Sequence, residues 1–342
     1  MFQSALDDAR AKRLYNGLNS DSVLGENKMI QQLTIPTPYA VGDVNAYLVK
    51  GDALTLIDAG PRTEEAHAAL VSGLKNFGCR MEDIEQVVLT HHHPDHSGWA
   101  DGFPNAEVSG HVYNNLWLGR DQEFFDYHDR FYFDQFREQG VPDEFLSSVK
   151  KMKRAAELMA ERPLDRILKE GDELPGLPGW TIFETLGHAQ SHLSFWNADE
   201  QVMIGGDLLL EKVSSNPIVE PPLDRKAGRP KTLLQYNRSL QRLLELPVSK
   251  IYSGHGNPVT DVHELIRQRL GKQHDRAMKV YDMLSDGPKS VFELTVRLFP
   301  AAYRRELGLT LSETLGQMDY LLASGRVTRL VDSEGIERYE QA

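Results

Sequence analysis

Thr90-His91-His92-His93-Pro94-Asp95-His96 follows directly on the run Glu85-Gln86-Val87-Val88-Leu89. An apolar, β-branched run of that length reads as a buried strand, so four histidines and an aspartate stand at the strand's exit, where loops carry chemistry. On nearly extended chain His91 and His93 point to the same side and can share one metal ion. Pro94 stops the strand. Asp95 and His96 then project in different directions from the next turn, which suits a second ion close to the first. The plainer reading, a surface histidine cluster or an affinity tag, fits poorly, because a tag lies at a terminus and carries no aspartate at a fixed place.

Four further stretches each stand at a strand-to-turn junction: Leu56-Ile57-Asp58-Ala59-Gly60, Thr185-Leu186-Gly187-His188-Ala189-Gln190-Ser191-His192, Gly205-Gly206-Asp207 and Ser253-Gly254-His255-Gly256. Together with the HxHxDH run, their order and spacing resemble the metallo-β-lactamase superfamily. The resemblance implies an α/β fold, the αββα sandwich of two mixed sheets face to face with helices outside, and a two-metal site along one edge. It implies that His91, His93 and His188 hold one ion and that Asp95, His96 and His255 hold the other. Asp207 would bridge them together with a hydroxide whose pKa both cations depress. Asp58 would orient ligand histidines from behind, and His192, four residues past a ligand, would be a supporting or structural residue. Asp95 is the candidate catalytic residue, orienting the nucleophile. Histidine and carboxylate donors suit two divalent ions, zinc first, with iron or manganese accommodated by the same set.

With 342 residues the chain is long enough for two domains, and an apolar fraction of 40% is ordinary for a globular protein with a proper core. A formal net charge of −12 disfavours long-range attraction of nucleic acid or anionic membrane and argues for a small-molecule substrate. Cys79, the single cysteine, excludes an intrachain disulfide and any cysteine-rich zinc module, which fits a reducing cytoplasm. Residues 1–28 form an N-terminal arm that reads as neither signal peptide nor membrane anchor, with a short amphipathic helix expected around Ala5 to Leu18.

The hydrolase domain is expected over residues 29–260. It begins with an antiparallel meander (Gln31 to Ile35, Val44 to Val49, Leu54 to Ile57), followed by a helix from Thr63 to Phe77 capped by Thr63. An aromatic-rich helical insert occupies about residues 112–165, with Phe145 to Ala160 as its second helix. Its rings, with His128 among them, either line a substrate pocket roofing the site or form the insert's own core or a dimer contact; stripes at helical spacing are more often core. Trp180 to Thr185, His192 to Asn197 and Gln201 to Ile204 read as strands. The loop Glu211 to Lys231 carries Arg225, Lys226, Arg229 and Lys231, which are either solvated or a contact for an anionic substrate.

After the last histidine, residues 261–342 read as a linking helix (Val262 to Leu284), helices at Ser290 to Phe299 and Ser312 to Ala323, and a hairpin around Ser333-Glu334-Gly335. This is a winged-helix arrangement, and with the preceding domain it resembles the β-lactamase-like protein 2 branch and related bacterial hydrolases. That branch includes an endoribonuclease, so RNA cleavage is the alternative to a small ester, thioester or lactone. Yet Ser312 to Ala323 contains Glu313 and Asp319 and no lysine or arginine, which is poor chemistry for a groove. A packing or homodimerisation role is favoured for this domain. A metal-sensing regulator is a third reading, which the full ligand set disfavours.

Overall fold

The strand alternation that marks the first sheet also decides what each of its faces meets. β1 (Ile30–Ile35), β2 (Val44–Lys50) and β3 (Leu54–Ile57) pair antiparallel, as the meander reading expected. β4 (Gln86–Val88), β5 (Glu107–Gly110) and β6 (Arg166–Ile167) extend the sheet in parallel. Successive residues of a strand point to opposite faces, so Leu48, Leu56 and Val87 go to one side and Val49, Ile57 and Val88 to the other. The first side is covered by α1 (Glu64–Asn76) through Ala66, Leu70 and Leu74. Each buried leucine there contributes roughly 1.5–3 kcal/mol. The helix starts where expected, since Thr63 Oγ1 accepts from Ala66 N–H and Glu64 and Glu65 occupy the positive end. The structure is a computed structural model that describes residues 30–147, 149 and 154–342. The N-terminal arm and its expected helix lie outside the described residues.

Beyond β4, Pro94 opens the single turn α2 (Pro94–Ser97), its fixed φ and missing N–H suiting a helix's first position. The insert follows as α3 (Asn114–Leu118) and α4 (Gln122–Glu138), the latter capped by Asp121. The expected second insert helix is corrected at its ends: the chain forms short 3₁₀ turns at Asp143–Phe145 and Arg154–Leu158, Val149 between them is helical, and residues 148 and 150–153 lie outside the described residues. The reason lies in the packing. Val149 belongs to the core of the C-terminal helices, whereas Ala156, Met159 and Ala160 belong to the core under the first sheet.

β7 (Trp180–Glu184), β8 (Leu193–Asn197), β9 (Val202–Gly206) and β10 (Lys250–Ser253) form a four-stranded sheet whose Ile182, Phe195 and Ile204 meet Val49, Ile57 and Val88 of the first. Its outer face is covered by Leu233, Tyr236 and Leu240 of α5 (Thr232–Leu243) and by Ile266 of α6 (Val262–Asp282). Helix, sheet, sheet and helix therefore stack as the αββα sandwich.

After α6 come β11 (Lys289–Ser290), α7 (Val291–Leu298), α8 (Leu307–Ala323), β12 (Val327–Val331) and β13 (Glu337–Gln341). The strands join in the order β11-β13-β12, so helices are followed by the hairpin that the winged-helix reading expected, with β11 as a third strand. α7 begins with a capping box in which Ser290 and Glu293 satisfy each other's backbone N–H groups. α8 starts before the expected Ser312, because Leu307 and Leu311 are buried and draw the first turn inward. Thr310 through Asp319 are all buried. The helix that would enter a groove is therefore packed inside the protein, against α5, α6 and α7.

Candidate metal centre

β4 and β3 end side by side, and Asp58 just past β3 takes φ 64°, a left-handed conformation that aspartate tolerates better than most residues. That geometry turns its carboxylate onto the neighbouring loop. Thr90 N–H donates to Oδ1 and Thr90 Oγ–H to Oδ2, both at 2.8 Å, and His96 Nδ1 lies 2.7 Å from Oδ2. One carboxylate thus fixes both ends of the histidine loop.

The donors converge in two groups. His91 Nε2 and His188 Nε2 each lie 3.0 Å from His93 Nδ1. Asp95, His96 and His255 form the second group, with His255 Nε2 3.3 Å from Asp95 Oδ2. Asp207 lies between them, its carboxylate 3.4 Å from His96, 3.5 Å from His188 and 3.6 Å from His255. Gly254 permits this approach, since a Cβ there would overlap Asp207 Oδ1. All seven residues that the resemblance nominated as ligands meet at this edge.

The nitrogen of each ring that faces away has an acceptor. His91 Nδ1 has Thr90 Oγ1, which already donates to Asp58; His96 Nδ1 has Asp58, and His255 Nδ1 has the Asp43 carbonyl. His188 Nδ1 has Ser215 Oγ and the Asn216 carbonyl. Such acceptors hold the proton on the far nitrogen and leave the near one free to ligate. His192 does a different job: its Nε2 accepts from Asp207 N–H at 3.0 Å and its Nδ1 meets Thr185 Oγ1, so it holds the backbone of the bridging aspartate.

Three of the converging atoms, His96 Nε2, His255 Nε2 and Asp207 Oδ1, are buried with no hydrogen-bond partner. Leaving such an atom unsatisfied costs about 1–3 kcal/mol, and a cation removes that cost for all three at once. The donor chemistry therefore fits divalent ions. Burial, reinforced by the surrounding imidazoles, pushes His91 well below the usual histidine range, and burial with the facing His93 pushes His188 down to about 4. Around His96 burial is outweighed by Asp207, Asp58 and Asp95, which hold it well above that range. In the first group His91 and His188 are thus held neutral, whereas in the second His96 is held charged and gives up a proton when a cation enters.

Several residues of the site were not legible beforehand. Glu220, fully enclosed on the loop after Asp207, sets Oε1 3.0 Å from His92 Nε2 and 3.6 Å from His93 Nε2, while Oε2 accepts from Gln190 N–H. The signal for it was His92 itself, whose ring must point away from His91 and His93 on extended chain and needs a partner there. Tyr39, half-buried near the site, is raised by burial and by the charge of Asp95, so its phenol stays a donor.

The insert backs the site instead of roofing it. Trp117 stacks on His92 with centroids 5.0 Å apart, and Phe124, Phe125, Tyr132 and Phe136 are buried core. His128 lies among those rings with Nδ1 on Asp129, away from the converging donors. A surface cavity of about 640 Å³ touches Phe125, Arg62, Arg120 and Arg154 and none of the donor residues. The basic loop is largely neutralised from within: Arg225 pairs with Glu123, and Arg229 and Lys231 with Asp319.

The family profile described as the metallo-beta-lactamase superfamily matches residues 39–255, more than half of the chain. The chain belongs to the metallo-β-lactamase superfamily. It is 46% identical over 299 residues to the probable metallo-hydrolase YqjP of Bacillus subtilis (strain 168), covering 86% of this chain and 93% of that one. It is 25% identical over 259 residues to the beta-lactamase-like protein 2 homolog of Caenorhabditis elegans, covering 73% and 68%. The crystal structure of the metallo-beta-lactamase family protein TTHA1429 from Thermus thermophilus superposes with a TM-score of 0.75 at 30% identity, over 92% of this chain and 99% of that one. The protein is a metallo-hydrolase whose histidine and aspartate clusters suit divalent ions. No helix among the described residues is long and apolar enough to cross a membrane.

Proposed function

We propose that the chain is a binuclear hydrolase of a small ester-like substrate, an ester, thioester or lactone. In this reading His91, His93 and His188 hold one zinc ion, Asp95, His96 and His255 hold the other, and Asp207 is shared. The supporting observation is the buried edge where seven donors converge and three of their atoms lack any other partner. When bound, such ions polarise a carbonyl and bring the pKa of water towards about 7. Asp95 orients the attacking water by accepting its hydrogen bond. Asp58 and the Asp43 carbonyl keep His96 and His255 turned inward.

A small substrate is favoured over a polyanion by how the cations are used. α8 is buried, the wing's Arg329 pairs with Glu337 and Arg338 with Glu293 and Asp332, and the basic loop faces Glu123 and Asp319. Groove or backbone binding needs cations free to meet phosphates. The net charge of −12 points the same way.

The test is turnover by the zinc- or manganese-reconstituted protein of aryl esters, lactones, S-acyl thioesters, bis-p-nitrophenyl phosphate and a single-stranded RNA, with Asp95→Ala alongside. Turnover of esters, thioesters or lactones, lost by roughly 10²-fold or more in the variant, is expected. RNA cleavage that disappears in Asp95→Ala, with the esters untouched, would sink this reading.

A further inference from the structure

His93 is the odd member of its group. His91 and His188 aim Nε2 at the converging point, whereas His93 aims Nδ1, so its Nε2 faces outward and must carry the proton. A proton held there needs an acceptor behind it. The carboxylate behind it is Glu220, itself placed by the hydrogen bonds it accepts from Gln190 N–H at 2.6 Å and from His92 Nε2–H at 3.0 Å. His92 in turn is fixed by Ser191 Oγ at 2.8 Å and by the face of Trp117.

The loop bearing Glu220 is itself clamped. Tyr132 Oη–H donates to the Val219 carbonyl at 2.7 Å and Tyr113 Oη–H to the Pro221 carbonyl at 2.9 Å. Val219 N–H donates to Ser312 Oγ, and Asn216 Nδ2–H to the Leu309 carbonyl, both acceptors on α8. The same loop presents Ser215 Oγ and the Asn216 carbonyl to His188. Two of the three rings in the first group therefore take their far-side partners from one loop, and that loop rests on the aromatic insert and on the winged helix's buried helix.

We propose that Glu220 is the positioning residue that fixes the ring orientation of His93 and so sets the affinity of the first ion position, with α8 serving as the brace that holds the Glu220 loop in place. This rests on the assignment of His91, His93 and His188 as ligands. It gives the C-terminal domain a task at the metal centre of its own chain. It also accounts for three features with one cause: the enclosed glutamate, the tyrosine hydroxyls turned onto backbone carbonyls, and a winged helix whose groove-entering helix is buried.

The experiment titrates Co²⁺ into the metal-free full-length protein, reading affinity and the visible absorption bands, for wild type, Glu220→Gln, Glu220→Asp, His92→Gln and Ser312→Ala, with thermal unfolding of each metal-free form. Glu220→Gln is expected to weaken one of two binding steps by about 10–100-fold, the usual consequence of losing an outer partner of a ligating histidine, and to shift the bands. His92→Gln, which removes the neighbour but leaves Glu220 facing His93, should change that step by less. Glu220→Asp is expected to recover part of the loss, because it restores the charge at a longer reach. Unchanged affinity and bands in Glu220→Gln would overturn the proposal, as would equal losses in Glu220→Gln and His92→Gln, which would make Glu220 merely a partner of His92. Should Glu220→Gln not fold, Ser312→Ala decides: a weakened first step in a protein that melts like wild type supports the brace, and an unchanged one overturns it. Failure of the wild type to bind Co²⁺ at all would instead sink the ligand assignment beneath it.

Discussion

The two halves of the donor cluster are built by different parts of the molecule. His96 and His255 are held by Asp58 and the Asp43 carbonyl, both belonging to the ends of the first sheet's strands, whose core is closed on both faces. His188 and His93 are held by the loop from Ser215 to Pro221, which belongs to no strand and leans on the insert and on α8. A partner fixed by a buried sheet has no cheap way to move, while a partner on a braced loop is as fixed as its brace. The second half is therefore a property of the sandwich alone, and the first is coupled to the elements added to it.

Asp207 belongs to both halves, so its removal should erase the distinction. Asp207→Ala is expected to abolish turnover and to empty both positions at micromolar metal, read by metal analysis after gel filtration; retention of one full equivalent would show that the halves do not share it. Next in size is Asp58→Ala. It strips the acceptor from His96 Nδ1 directly and the anchor from Thr90, which faces His91, so the second position should weaken about 10–100-fold and the first by less. Anomalous diffraction from Zn-loaded crystals reads the two occupancies separately, and an equal fall in both would erase the proposed difference between the halves.

This difference also explains what the sequence could convey. Asp58, the Thr90–His96 run, His188, Asp207 and His255 each sit at the end of a strand or in the turn after it, and strand ends are marked by local pattern, so the fold and the converging donors were readable. The second sheet's hairpin and the Thr63 cap were readable for the same reason. Glu220 was not, because its partnership with His92 and His93 is made by the path of an aperiodic loop, and nothing near Pro221-Pro222 in the chain announces it. The burial of α8 was only half visible. Its lack of lysine and arginine argued against a groove, but the residues it packs on belong to α5, α6 and α7 and to the Ser215–Pro221 loop. The 3₁₀ turn at Arg154–Leu158 stands where a helical spacing was read, because Ala156 and Met159 pack under the first sheet, a fact of tertiary packing that local periodicity does not contain.

Gly187→Ala probes the first half from the sandwich side. Gly187 has φ 131°, and a Cβ there would overlap the Tyr236 backbone at N and Cα, so either α5 or the turn bearing His188 must shift. Overpacking against backbone costs about 1–3 kcal/mol, which should lower the midpoint of thermal unfolding and reduce occupancy of the first position ahead of the second. Wild-type unfolding and occupancy would show that the turn yields without moving the ring.

The smallest effect on the metals is expected from the far end of the brace. Asp319 on α8 takes a two-pronged contact from Arg229 at 2.7 and 2.8 Å and a third from Lys231 at 2.8 Å, with its own side chain 1% exposed and that of Arg229 11%. Asp319→Asn keeps the shape and removes the charge. Breaking so enclosed a pair costs about 3 kcal/mol in stability, because Arg229 is left without its counter-charge. The joint it loosens lies downstream of Glu220, between the loop and α5, so the first position should weaken only a few-fold and the second not at all. Stability measured by chemical unfolding and affinity measured by Co²⁺ titration would thus separate. A loss of affinity as large as that of Glu220→Gln would mean that the loop is held chiefly from this end, and equal losses at both positions would mean that α8 supports the sandwich as a whole.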